Sequence, residues 1–121
     1  MVDAGTLATS AQTLLAIGQN ASATQILEAN TNIWILMAES DMEVEAGNGV
    51  GLVANIATIT ASYKQWLALV ASSRAAFYGI NQNPNSWQLA TAQSKLNIID
   101  TIWQEFKKKI KDKDVIDDMG L

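Results

Sequence analysis

Apolar side chains recur at alternating intervals of four and three residues along two stretches of this chain. The first runs through Leu52, Ile56, Ile59, Tyr63, Trp66, Val70, Ser73 and Phe77; the second through Leu89, Ala92, Leu96, Ile99, Trp103, Phe106 and Ile110. That spacing lays one apolar stripe along an α-helix, as in the seam of a coiled coil. It predicts a helix from about Gly51 to Tyr78, roughly 40 Å long at ~1.5 Å per residue. A second helix is expected from Asn85 or Ser86 to about Lys113. Between them lies Gly79-Ile80-Asn81-Gln82-Asn83-Pro84-Asn85, which holds the only proline. So short a connection forces the two helices antiparallel.

Upstream the pattern predicts two further helices. Helix 1 is expected over Gly5–Ile17, with Leu7, Ala11 and Leu14 on one face, and stops at Gly18-Gln19-Asn20. Ser22-Ala23-Thr24-Gln25 fits a capping box that opens helix 2 ahead of Ile26. Ile26, Asn30, Ile33 and Met37 continue helix 2, and Leu27, Trp34 and Leu36 widen its apolar surface, so it needs cover from several sides. The expected fold is all-α: a long, coiled-coil-like antiparallel helical hairpin covered by two shorter N-terminal helices. One domain is expected, with two helices in 1–46, a glycine-rich hinge at 47–50, the hairpin in 51–113 and a tail at 114–121, either fraying or forming a short turn capped by Asp114.

Composition narrows the chemistry. With 121 residues, 49% of them apolar, one chain can bury a core. There is no cysteine and no histidine, which removes disulfides, thiolate nucleophiles, the commonest zinc ligands and Ser-His triads together. No enzymatic activity and no cofactor are expected. The net charge of −4 argues against nucleic acid as main partner. Lys107, Lys108 and Lys109 read as cations complementing the C-terminal end of a helix. No segment suits a transmembrane helix, and the N-terminus lacks the basic residues of a cleavable signal peptide.

Glu39, Asp41, Glu43 and Glu45 fall within seven residues, and Gly47, Gly49 and Gly51 follow. As a calcium loop starting at Asp41, the stretch has Ala46 where glycine is needed and Leu52 where a bidentate carboxylate is needed. As a phosphate loop it lacks the Lys-Ser/Thr pair. A short β-hairpin on Asn48-Gly49 has no alternating return strand. The remaining reading is a hinge, with helix 2 fraying through hydrated acids.

Across positions 1–90 only Asp3, Glu28, Glu39, Asp41, Glu43, Glu45, Lys64 and Arg74 are charged. Outer helix positions hold Ala, Ser, Thr, Asn and Gln, which desolvate cheaply and suit packing against further subunits. Trp66 and Trp103 sit on the stripes, whereas Trp34 and Trp87 fall partly off them and are candidate interface residues, as Trp is enriched there. The acids at 39, 41, 43 and 45 are further interface candidates, facing the Lys107–Lys113 cluster of another subunit.

At the turn and the last helix, Asn83-Pro84, Gln93-Ser94-Lys95-Leu96 and Ile110-Lys111-Asp112 resemble the needle and filament subunits of type III secretion systems. The resemblance covers about the last forty residues, leaving helices 1 and 2 outside it. It implies a hairpin subunit that polymerises helically into a hollow conduit. The expected function is a non-enzymatic structural subunit of a symmetric assembly, with itself and other subunits as partners. A secretion filament or a virion component, such as a head–tail connector ring or internal protein, meets that description, in an extracellular, cell-surface or virion setting. The alternative is a small helical adaptor or inhibitor acting as monomer or dimer.

Overall fold

The computed structural model describes residues 5–17, 28–47, 50–82 and 89–121. Five helices occur in that part: α1 (Ser10–Ile17), α2 (Glu28–Ala46), α3 (Ala61–Gln82), α4 (Leu89–Lys109) and α5 (Lys113–Met119). No strand is found among the described residues, so the fold is all-α. Helix α3 is the centre, with α1, α2 and α4 all packed along it.

The hairpin expected from the two stripes is formed by α3 and α4. Trp66 meets Phe106 at 5.5 Å between ring centroids, Arg74 lies over Trp103 at 4.5 Å, and Ile80 shares a core cluster with Ile99. Rising numbers on α3 meet falling numbers on α4, so the pair is antiparallel. Leu52, Ile59, Val70, Ile99, Trp103, Phe106 and Ile110 are buried; Ile56, Tyr63, Trp66, Phe77 and Leu96 are half-buried against the core. The side chain of Leu89 lies outside the described residues, as does Trp87.

Four boundaries differ from the pattern. Helix α3 starts at Ala61, ten residues after Gly51, and runs on through Gly79 to Gln82. At 22 residues it is roughly 33 Å long. Residues 50–59 instead form successive tight turns, with Ile56 N–H donating to Val53 O, Thr58 N–H to Asn55 O and Ile59 N–H to Ile56 O. The cause is local: the Asn55 side-chain amide donates to Val50 O and Gly51 O, and the Thr58 hydroxyl donates to Asn55 O. Such side chains offer the backbone an alternative to the helix ladder. At about three residues per turn Ile56 and Ile59 return to one side, and with Leu52 they pack into one core cluster, which is why the stripe outlasts the helix.

Helix α4 ends at Lys109, and the tail is ordered as α5. Asp112, not Asp114, caps α5: its Oδ1 accepts from Asp114 N at 2.9 Å, and Gly120 closes the other end. Thr60 N–H donates to Met119 O, tying α5 to the start of α3.

Helix α1 starts at Ser10, not Gly5. Thr9 and Gln12 form a reciprocal capping box, Gln12 N–H donating to Thr9 Oγ1 at 3.1 Å and Thr9 N–H to Gln12 Oε1 at 2.9 Å. Residues 5–8 instead lie flat against α2: a Cβ on Gly5 would stand 2.2 Å from Ile35 Cγ2. The capping box expected at Ser22–Gln25 lies outside the described residues.

Candidate functional site

The acidic stretch is part of α2, which runs unbroken to Ala46, so it is not a frayed hinge. Gly47 follows with φ +88°, while Asn48 and Gly49 lie outside the described residues. Each carboxylate meets a different part of the chain. Glu39, 5% exposed, accepts from the Thr6 and Leu7 amides, the latter at 2.8 Å. Asp41 accepts from Arg74 Nε at 3.0 Å and from the Tyr78 hydroxyl. Glu43 accepts from Val53 N at 3.0 Å, and Glu45 lies 3.6 Å from Lys111 Nζ. One acid–lysine pair, Glu45 with Lys111, is made within the chain. Among the described residues no group of three or more potential ligand side chains is placed to hold a metal ion.

Arg74 ties three helices together. Its guanidinium pairs with Asp41 on α2 and lies 4.7 Å from the Phe77 ring and 4.5 Å from that of Trp103 on α4. Such cation–ring contacts strengthen as water is excluded. Burial, together with the neighbouring Asp41 carboxylate, raises the Tyr78 pKa above its ordinary 10.0, and Arg74 opposes this only in part.

Trp34 is buried, not an outward anchor: it packs against Ile17 and Gly79, where a Cβ would stand only 3.0 Å from its ring. Lys107, Lys108 and Lys109 form the last turn of α4, with Lys108 and Lys109 exposed and Lys107 half-buried. Lys109 also borders a small cleft of about 460 Å³ with Tyr63, Trp66 and Asp112.

The outward chemistry lies elsewhere. Ile33, Leu36, Met37 and Val44 on α2 are all exposed, Val44 at 80%. With Ser40 they follow the helical repeat, forming one apolar stripe along the outer side of α2. The second surface is a groove of about 750 Å³ between α1, α3 and α4. Its apolar walls include Leu15 (81% exposed), Leu69 and Ile98 (63%), and among the described residues its charged lining is Lys64 and Lys95. Lys95 Nζ donates to Ala16 O, tying α4 to the end of α1 across the groove.

The groove and α2 occupy different sides of α3. Gln65, Ala68, Leu69 and Ser72 line the groove, whereas Arg74 and Tyr78 meet α2. Ser72 and Arg74 stand about 200° apart around a helix of 3.6 residues per turn. Neither surface follows from the stripes, because Leu15, Leu69 and Ile98 sit beside the periodic positions. The readable signal is a second apolar line on helices whose core stripe is already complete.

Among the described residues no helix is long and apolar enough to cross a membrane. Comparison with protein-family models, curated proteins and solved structures finds no match to this chain.

Proposed function

We propose that the protein is a non-enzymatic structural subunit of a symmetric multi-subunit assembly. A filament of the secretion type or a virion component, such as a connector ring or internal protein, is the class of object intended. One observation carries the reading: large apolar side chains are exposed on two different sides of a chain of only 121 residues. Contiguous apolar surface is expensive to leave in water, and on soluble proteins it marks contacts with other molecules. A subunit with two such surfaces on different sides links to two neighbours, the requirement for a ring or a fibre.

The test is the mass of the purified protein by light scattering over a concentration series. Growth to closed rings or long fibres supports the reading, and electron micrographs tell one from the other. A chain that stays monomeric at high concentration while unfolding cooperatively refutes it.

A further inference from the structure

The two exposed surfaces differ in shape and in charge, and the difference specifies how they meet. One is convex, the stripe of Ile33, Leu36, Met37 and Val44 along a single helix. The other is concave, a groove floored by α3 and walled by α1 and α4. Helix α2 carries Glu28, Glu39, Asp41, Glu43 and Glu45 and no basic residue, whereas the charged groove residues among those described are both lysines. Asp41 and Glu43 fall about 80° to either side of the stripe at 3.6 residues per turn. Asp41 is already paired with Arg74 and Tyr78, whereas Glu43 accepts one backbone N–H and, half-buried, keeps its charge partly in solvent. A helix pressed into the groove by this stripe brings the Glu43 flank against a surface whose described charges, Lys64 and Lys95, are both positive.

We propose that the α2 stripe of one copy docks into the α1–α3–α4 groove of the next, a head-to-tail contact of this chain with itself. The proposal rests on the assembly reading above and adds which surfaces join. Self-pairing is disfavoured on both sides: stripe against stripe apposes two acidic helices, and groove against groove apposes lysines. A contact between two different patches leaves one free stripe and one free groove at the ends of every oligomer, so growth continues until rotation closes a ring or yields a helix.

The chain has no cysteine, so single engineered thiols report cleanly. Met37→Cys and Leu69→Cys, both at exposed positions, are prepared separately, checked for native helicity and mixed with a short bismaleimide. The head-to-tail contact is expected to give a mixed product about fivefold or more over either homodimer. Lys64→Glu is expected to weaken association about tenfold by placing like charges together. Leu69→Ser should abolish assembly while leaving the thermal transition in place. Multimers that cross-link only Met37→Cys to itself, or Leu69→Cys to itself, overturn this contact and leave the assembly reading standing. A monomer at all concentrations, with no cross-linked product, overturns both.

Discussion

Replacing Glu39 tests whether the N-terminal segment is held by a buried charge. Its carboxylate accepts from the amides of Thr6 and Leu7, and the Leu7 bond is buried. In Glu39→Ala both N–H groups lose their partner, at about 1–3 kcal/mol for each donor left dry. Part of this is recovered, because a carboxylate no longer has to be desolvated. The expected net loss is about 2–4 kcal/mol, a large share of the ~5–15 kcal/mol that holds a typical domain together. Glu39→Gln keeps one acceptor oxygen in place and should lose about 1 kcal/mol, since hydrogen bonds to a charged group exceed neutral ones by roughly that amount. For a chain of this length each kcal/mol lowers Tm by about 4 °C, so the alanine variant should melt roughly 8–16 °C below the parent. Far-UV circular dichroism during heating and the denaturant midpoint read the global effect. Amide exchange at Thr6 and Leu7 reads the local one and should quicken in both variants. An alanine variant within about 0.5 kcal/mol of the parent, with unchanged exchange, would refute the reasoning.

Tyr78 gives a pH dependence. Its folded-state pKa is raised above 10.0, so the folded chain holds the phenol proton where the unfolded chain has lost it. Its stabilising contribution is complete below pH 10.0 and falls as pH rises through the folded-state value. Denaturant midpoints measured from neutral pH upward should decline above that point, and Tyr78→Phe should flatten the slope relative to the parent. The core and the rim should respond very differently to truncation. Phe106→Ala empties a fully buried site between Trp66 and Trp103 and should cost about 3–5 kcal/mol. Lys111→Ala breaks an ion pair whose lysine is 66% exposed and should cost under about 0.5 kcal/mol by the same unfolding assay.

The sequence carried the hairpin because a four-three repeat is a direct consequence of helical geometry, and both stripes are where α3 and α4 meet. It misplaced the start of α3 because tight turns through residues 50–59 present Leu52, Ile56 and Ile59 much as a helix does. Asn55 and Thr58 were the readable warning, since both compete for backbone groups. Thr9-Ser10-Ala11-Gln12 was an equally readable start for α1, missed because Leu7 extends the apolar pattern past the cap. The acidic stretch resisted for another reason. A carboxylate's partner is set by tertiary approach, and nothing local tells Glu39 that the amides of residues 6 and 7 will arrive beside it. The exposed surfaces left only a faint trace, a second apolar line beside the core stripe, because periodicity alone does not say which of two apolar lines the chain buries.

Helix α2 turns several of its carboxylates towards its own chain and leaves Ile33, Leu36, Met37 and Val44 in water, the reverse of an ordinary amphipathic helix. In this helix the positions that govern folding are therefore separate from those that govern solubility. The fold depends on the acids it has tied down, whereas the behaviour of the free chain in concentrated solution depends on a few side chains that keep much of their apolar surface in water. Exchanging the most exposed of them, Val44, for a polar residue should change colloidal behaviour and leave the architecture intact, so the two properties are open to adjustment one at a time.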